Sequence, residues 1–315
     1  MSLAPIALFV YKRPNHTRQT LEALAECALA GQSKLFIFSD GPKTAADEAS
    51  VAEVRRIAKE RAWCGEVDVV EQERNRGLAA SVIGGVTDLC EKYGRVIVLE
   101  DDLVVAPNFL TYMNEALDRY VDEPSVMQIS GHMFDVELVL DDDAVFMPFV
   151  STWGWATWSR AWAHFDPDMS GYEKLRTDAA RRKRFNLGGA YDYFDLLERQ
   201  RSGAVDSWGI RWNLSVFDSD GIVLYPKKSL VDNRGFDGSG THCSATDGGS
   251  SSGLGTVSVE RFPQASVDAR LYAPVLNYLR GNTRRSRIRR MAAAALRTLG
   301  LRKPKTKAVS VGAGK

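Results

Sequence analysis

The chain has 315 residues, of which 44% are hydrophobic and 26% are charged, a composition typical of a globular protein with a large core. No apolar run approaches the roughly 20 residues that cross a bilayer, and the four cysteines show neither disulfide-type nor metal-type spacing. The composition therefore argues against a membrane-spanning protein and a disulfide-built secreted domain, and it predicts a cytoplasmic location.

Apolar runs and amphipathic stretches alternate through the first 130 residues. Short apolar runs predict strands, and apolar residues at helical spacing predict helices between them. The predicted strands are 5–11, 35–39, 67–71, 96–99 and 126–130, and the predicted helices are 17–30, 47–62, 78–93 and 107–120. Strands that alternate with helices of this length favour an α/β fold with a mainly parallel, Rossmann-like sheet flanked by helices.

The second half of the chain is less regular. Aromatic residues are frequent at 146–162 and 208–217, a polar helical region covers 172–200, and glycine and serine are frequent at 235–255. We interpret residues 1–135 as a ligand-binding half and residues 136–280 as a second half of the same domain, followed by a tail over 281–315.

Charged and polar side chains follow the predicted strands directly. Arg13 follows the first strand, Asp40 the second, Asn75 and Arg76 the third, and the triplet Glu100-Asp101-Asp102 the fourth. In a parallel sheet, ligands bind outside the carboxyl ends of the strands. These side chains are therefore the candidate functional residues.

The triplet is the most informative of these features. Three consecutive carboxylates repel one another unless a cation or hydrogen-bond donors lie among them. A few hard oxygen ligands suit Mg²⁺ or Mn²⁺ held partly by a substrate diphosphate, and such an ion would neutralise charge on the leaving group. The alternative is a solvated acidic turn before a helix, where the helix dipole favours Asp.

The segment around the triplet resembles a known family. Residues 96–109, Val-Ile-Val-Leu-Glu-Asp-Asp-Leu-Val-Val-Ala-Pro-Asn-Phe, are similar to the metal-binding segment of the N-acetylglucosaminyltransferase I family of GT-A-fold glycosyltransferases. Residues 7–14 and 38–41 resemble that family's first two nucleotide-binding strands, and Trp153-Gly154-Trp155 resembles its Gly-Trp segment. The similarity is strongest at 96–109 and weak between the motifs.

The resemblance implies a GT-A fold and a metal-dependent, inverting glycosyltransferase. Such an enzyme would move a hexosyl or N-acetylhexosaminyl group from a nucleotide sugar, with UDP as the expected nucleotide, to a hydroxyl of a glycan or glycolipid, as in bacterial polysaccharide synthesis. Residues 1–135 would then bind the nucleotide sugar, and residues 136–280 would bind the acceptor and supply the catalytic base.

Individual roles follow from the resemblance by position. It implies that Asp102 is the ligand of Mn²⁺ or Mg²⁺ and that Asp101 and Glu100 hold the ribose and the donor sugar. It also implies that Asp40 contacts the uracil and that Arg13 belongs to the donor site. We assign Asn75 and Arg76 to the donor site as well, because they follow the third strand at the same edge.

The catalytic base of the family lies in an Asp-Asp-Trp motif. This chain has Asp206-Ser207-Trp208 at the corresponding place, so the resemblance implies Asp206 as the base and departs from the motif at Ser207. The alternative role for Asp206 is the N-cap of a helix beginning near Trp208.

Two histidines extend the candidate donor site. His132 follows the strand at 126–130, where it either contacts the donor sugar or is a hydrogen-bonded structural residue. His242 ends the segment 233–242, which resembles a glycine-rich loop of bacterial relatives and acts either as a lid or as a linker. Among the tryptophans, Trp158 and Trp162 are predicted to be core residues, and Trp155 is a core residue or an acceptor contact.

The tail differs in charge from the rest of the chain. Residues 280–315 contain twelve Lys or Arg and no Asp or Glu, which leaves residues 1–279 with a net charge of −11. Arginines interleaved with apolar residues over 284–302 predict a basic amphipathic helix at the inner face of an anionic membrane, or else a disordered solubilising tail. An acidic body argues against nucleic acid as a partner.

Two other functions remain open from the sequence. A sugar nucleotidyltransferase would also combine a nucleotide-binding half with carboxylate-bound Mg²⁺, but such enzymes have a glycine-rich loop after the first strand, where this chain has Lys12-Arg13-Pro14-Asn15. A non-catalytic nucleotide- or carbohydrate-binding protein would tolerate the loss of Asp206 and Asp102.

Overall fold

A computed structural model describes residues 2–237, 254–257 and 259–282. His242 and most of the predicted tail, 283–315, lie outside the described residues. The strands are β1 (Ile6–Val10), β2 (Lys34–Ser39), β3 (Glu66–Glu71), β4 (Arg95–Glu100), β5 (Leu103–Val105), β6 (Val126–Ser130), β7 (Ala144–Met147), β8 (Trp155–Trp158), β9 (Ile222–Pro226) and β10 (Val231–Asn233). The helices are α1 (Pro14–Ala25), α2 (Glu48–Ala58), α3 (Leu78–Tyr93), α4 (Phe109–Arg119), α5 (Ser159–Trp162), α6 (Tyr172–Thr177), α7 (Ala179–Phe185), α8 (Tyr193–Arg201), α9 (Trp208–Asp218) and α10 (273–282).

Eight strands form one mixed sheet in the order β3-β2-β1-β4-β8-β6-β9-β7. β1 to β4 are parallel to one another, while β8 lies antiparallel between β4 and β6. β9 is parallel to β6, and β7 is antiparallel at the edge. The predicted α/β class with a mainly parallel sheet is confirmed, as is each strand and helix predicted in the first 130 residues.

The central strands are buried because helices cover the sheet. All five residues of β1 are buried, and in β4 the four residues between Arg95 and Glu100 are buried. A parallel strand covered on both faces must be apolar along its whole length, which is the pattern of these two segments. α3 packs on both strands, so the sheet and this helix hold the ends of β1 and β4 in fixed positions.

The second half of the chain adds to the same sheet. Its aromatic residues pack between β8, α5 and α9, where Trp155 stacks on Trp208 at 5.1 Å and Trp162 contacts Trp212 at 5.0 Å between ring centroids. Trp155 is 1% exposed, so of its two predicted roles the core role is confirmed and the acceptor contact is wrong. Within the described residues, no helix is both long and apolar enough to cross a bilayer.

A second, two-stranded sheet lies beside the large one. β10 pairs antiparallel with β5, so Val231 lies opposite Val105 and Asn233 opposite Leu103. Since β5 begins two residues after Asp101, this pairing brings the segment 231–237 next to the acidic triplet.

Candidate functional site

The candidate residues meet at one edge of the large sheet. β1, β2, β3 and β4 are parallel neighbours, so the residues that follow them lie side by side at their carboxyl ends. β4 ends at Glu100 and a turn begins at Asp101. The structure therefore brings together the loops that contain Arg13, Asp40, residues 75–77 and the triplet.

Arg13 joins the first and fourth of these loops. Its guanidinium forms ion pairs with Asp101 and with Asp102, the latter at 2.8 Å. Asp101 is only 4% exposed and Asp102 only 8%, so the alternative of a solvated acidic turn is wrong. Arg13 supplies the cation that two buried neighbouring carboxylates require.

The electrostatics of this cluster are strongly coupled. Burial lowers the pKa of Arg13, but Asp101 and Asp102 outweigh this effect and raise it above its ordinary value. Burial also raises the pKa of Asp101, against the opposing effect of Arg13. Burial, followed by the charges of Asp102 and Asp101, raises the pKa of Glu100 to about 8. Burial and the neighbouring aspartates therefore both disfavour the ionised form of Glu100.

Asp40 fixes the loop after β3. Its Oδ1 accepts hydrogen bonds from the backbone N–H groups of Gly41 and Arg76, and its Oδ2 accepts from Asn75 Nδ2 and from the Gly77 N–H, all at 2.8–2.9 Å. Both oxygens of this buried carboxylate are thus used to order the loop. Contacts of Asp40 and Asn75 with a donor nucleotide remain predictions.

Arg76 and the start of α3 lie at the same edge. The Arg76 side chain is exposed, and among the described residues it makes no ion pair or side-chain hydrogen bond. Gly77 is the N-cap of α3 and has φ of 82°, a backbone conformation that favours glycine. The unpaired Arg76 guanidinium and the N-terminus of the 16-residue helix α3 would both attract an anionic group.

Asp47 is a residue of this edge that the sequence did not reveal. It accepts hydrogen bonds from the Tyr11 hydroxyl at 3.1 Å, from Lys12 Nζ at 2.6 Å, and from the backbone and side chain of Thr44. These contacts join the loops that follow β1 and β2. The lysine and threonine hydrogen bonds lower the pKa of Asp47 to about 2.

The segment 231–237 covers the triplet from the side of the small sheet. The backbone N–H of Arg234 donates to the Asp102 carbonyl at 2.8 Å. Gly235 lies against the Asp102 carboxylate, and a Cβ at this position would lie 2.3 Å from Asp102 Oδ2. His16 Nε2 lies 3.3 Å from Asp237 and therefore links this segment to α1.

The first turn of α9 brings Asp206 to the same region. The Trp208 side chain lies close enough to the Glu100 carboxyl to lower its pKa, against the larger effect of burial. Ser207, not Asp206, caps the helix, because its hydroxyl accepts from the Ile210 N–H. The N-cap alternative for Asp206 is therefore wrong, and the departure from the Asp-Asp-Trp motif at Ser207 has a structural role. Asp206 is exposed and forms an ion pair with Arg211 at 2.9 Å.

His132 is buried beside the edge. Its Nδ1 is 3.2 Å from the Ser151 hydroxyl, and its ring packs against Phe134 and Trp153 at 4.9 and 4.4 Å between centroids. Burial lowers the pKa of His132 to about 3, so the ring is neutral near pH 7. These contacts give it the structural role that the sequence allowed, and a contact with the donor sugar remains a prediction.

The carboxylates partly meet the requirements of a divalent ion. Asp101 Oδ2 is buried without a hydrogen-bond partner in the described part of the chain, and the carboxylates of Asp101 and Asp102 both pair with Arg13 Nη2. However, no three His, Cys, Asp or Glu side chains among the described residues are arranged to hold a metal on their own. The site fits an ion that takes one or two carboxylate ligands and the rest from a bound diphosphate.

Comparisons with known proteins give only distant likenesses. No protein-family model matches the chain, and no curated protein matches it. Similar solved structures include mouse xyloside xylosyltransferase 1 in its apo form, with 9% identity and a TM-score of 0.35 over 69% of this chain and 82% of the other. Another is UDP-glucose pyrophosphorylase complexed with UDP-glucose, with 11% identity and a TM-score of 0.36 over 73% and 92%. The glycosyltransferase GlyE of Streptococcus pneumoniae TIGR4 shows 12% identity and a TM-score of 0.33 over 72% and 45%. Likenesses of this size do not decide the function.

Proposed function

We propose that this protein is a metal-dependent, inverting glycosyltransferase of the GT-A type. It transfers a hexosyl or N-acetylhexosaminyl group from a nucleoside diphosphate sugar, with UDP as the expected nucleotide, to a hydroxyl of a glycan or glycolipid. A role in bacterial polysaccharide synthesis at the inner face of the membrane belongs to the same proposal, with the basic residues of 280–315 as the contact to anionic lipid.

One observation carries this proposal. Two buried aspartates, Asp101 and Asp102, follow the central strand β4, and they share the Arg13 guanidinium while one buried carboxylate oxygen lacks a partner. Burying these charges lowers the stability of the protein without a ligand. A ligand that binds at this edge would offset that cost. The arrangement is explained if a cationic or metal-bridged ligand completes it.

The loops of the edge provide complementary contacts for a nucleoside diphosphate sugar. The exposed guanidinium of Arg76 and the start of α3 attract phosphate oxygens. Asp102 would hold Mn²⁺ or Mg²⁺, which when bound would stabilise the charge of the departing diphosphate. Glu100 and Asp101 would accept hydrogen bonds from sugar and ribose hydroxyls, and Asp40 and Asp47 keep the three loops in place.

Asp206 is the proposed general base. Its exposed carboxylate would take the proton of the acceptor hydroxyl while that oxygen bonds to the anomeric carbon and the bond to the diphosphate breaks on the opposite face. Such help is worth about 10²–10⁴-fold in rate. The contact of Trp208 with Glu100 supports this role, because it places the first turn of α9 next to the donor carboxylates.

The geometry after β1 counts against a sugar nucleotidyltransferase. α1 begins at Pro14, four residues after β1 ends at Val10, and the intervening Arg13 turns towards the carboxylates. This leaves no glycine-rich loop whose backbone N–H groups could surround a triphosphate.

The test is a panel of UDP-, GDP- and dTDP-sugars, assayed for transfer and hydrolysis with and without Mn²⁺. We expect metal-stimulated turnover of at least one donor, and no turnover of any donor by folded protein would contradict the proposal. Asp102→Asn should remove metal-dependent nucleotide binding in calorimetry. Asp118→Asn is the matched control, because Asp118 pairs with Arg95 at the opposite end of β4.

A further inference from the structure

Among the described residues, Asp206 has one side-chain partner, the mostly buried Arg211. Arg211 lies in the first turn of α9, and its side chain is only 13% exposed whereas the Asp206 side chain is 70% exposed. Arg211 Nη2 donates to Asp206 Oδ1 at 2.9 Å, and Arg211 Nε donates to the Ser207 carbonyl at 3.3 Å. The arginine therefore binds both the carboxylate and the backbone that follows it.

The backbone around Asp206 is fixed independently. The Ser207 N–H donates to Gln200 Oε1 at 2.5 Å, and the Ser207 hydroxyl caps α9. Trp208 packs on Trp155 and contacts Glu100. With the main chain held at Ser207 and Trp208, the remaining freedom of Asp206 is rotation of its side chain.

We infer that Arg211 is a positioning residue that holds Asp206 Oδ1 so that Oδ2 faces the acceptor hydroxyl. This rests on the proposed role of Asp206 as the base. Oδ2 has no hydrogen-bond partner among the described residues, so it is the oxygen free to take the proton. An exposed carboxylate without such an anchor would sample several rotamers, and only some of them would be productive.

The matched control lies at the other end of the same helix. Arg181 forms an ion pair with Asp218, the last residue of α9, at 2.6 Å, and the two side chains are equally exposed. Replacing Arg181 by Gln removes an arginine–aspartate pair from α9 without touching its first turn. A general effect of ion pairs on the helix would appear equally in both variants.

The experiment compares Arg211→Gln, Arg211→Lys and Arg181→Gln with wild type in the transfer assay. For Arg211→Gln we expect kcat to fall about 10- to 100-fold, with the KM of donor and acceptor changed less than about twofold. Arg211→Lys, which keeps the charge, should recover part of the loss. Arg181→Gln should retain the wild-type kcat.

A double-mutant cycle separates positioning from a structural effect. In an Asp206→Asn background, Arg211→Gln should cost little further activity, because the group that it positions is absent. An equal loss in both backgrounds, or a wild-type kcat in folded Arg211→Gln, would overturn the inference alone. A wild-type protein without transfer activity would instead overturn the proposed function and, with it, the role of Arg211. Melting temperatures identify any variant that fails to fold. If Arg211→Gln fails to fold, the kcat of Arg211→Lys tests the inference in its place.

Discussion

Asp40 combines burial and charge with four hydrogen bonds, three from residues 75–77 and one from the adjacent Gly41 N–H. Asp40→Asn keeps the size of the side chain but places an NH₂ group against two of the four donors. At about 1.5–3 kcal/mol for a hydrogen bond to a charged group, we expect the free energy of unfolding to fall by about 2–4 kcal/mol. Urea unfolding measures this change.

The control for Asp40→Asn is a substitution of an aspartate that accepts no hydrogen bonds from residues 75–77. Asp68 on β3 forms a half-exposed ion pair with Lys34 at 3.2 Å, so Asp68→Asn should change the free energy of unfolding by less than about 1 kcal/mol. Equal losses in the two variants would show that Asp40 does not order residues 75–77.

Because His132 is buried, we expect the stability of the protein to depend on pH. Burial lowers its pKa to about 3 in the folded protein, whereas an unfolded histidine titrates near 6.5. Between these values the unfolded state binds a proton that the folded state does not, so the free energy of unfolding falls as the pH is lowered from about 6.5. The slope attributable to this group is at most about 1.4 kcal/mol per pH unit.

The measurement is urea unfolding of wild type and His132→Gln between pH 7 and 4.5. We expect the substitution to lower stability at pH 7, since it disturbs the packing with Trp153, and to flatten the decline towards pH 4.5. A decline as steep as in wild type would mean that another group causes it.

At the scale of elements, the pairing of β5 with β10 sets the surroundings of Asp102. Gly235→Ala would place a Cβ 2.3 Å from Asp102 Oδ2 and 3.1 Å from Asn233 Oδ1, so the carboxylate must leave the position in which it pairs with Arg13. We expect metal-dependent binding of UDP to weaken about tenfold or more, which equals about 1.4 kcal/mol. Calorimetry with Mn²⁺ measures this affinity.

Gly31→Ala is the control for that substitution, because nothing lies within 4 Å of a Cβ at Gly31. Its affinity for UDP and Mn²⁺ should equal that of wild type. Unchanged affinity in Gly235→Ala would show that the position of Asp102 Oδ2 does not matter for binding.

The elements of the first half could be predicted because their patterns are local. β1 and the four central residues of β4 are buried and form continuous apolar runs, and the helices between these strands show one apolar face. β8 could not be predicted in this way. It is a four-residue strand, Trp155–Trp158, and its insertion between β4 and β6 depends on partners far away in the sequence.

The same contrast applies to the site. The rule of strand ends placed Arg13 beside the triplet, because it needs only the parallel order of β1 and β4. It could not reveal that Asp47 joins Tyr11 and Lys12, since those contacts depend on the path of the loop after β2. The N-cap role of Ser207 could have been found from its serine, a residue type common at that position.

At the scale of the whole molecule, the two halves of the chain share one sheet. β4 from the first half pairs with β8 from the second, and β8 pairs with β6 on its other side. Opening either half would leave the backbone groups of a buried strand without partners. We therefore expect the halves to unfold in one cooperative transition.

Natural probes report on each half separately. The first half contains the buried thiols of Cys27, Cys64 and Cys90, and burial raises the pKa of each, to about 11 or 12. Since the thiolate is the reactive form, these groups should react with a disulfide reagent only after the first half opens. Six of the seven tryptophans lie between 153 and 212, so tryptophan emission reports on the second half.

In a Cys243→Ser background, thiol reactivity and tryptophan emission should therefore show the same urea midpoint. Saturating UDP with Mn²⁺ should raise both midpoints equally, since a ligand that binds only the folded state stabilises the whole cooperative unit. Thiols that become reactive at a lower urea concentration than the change in emission would show that the first half unfolds alone. The pairing of β4 with β8 would then contribute less to stability than its central place in the sheet implies.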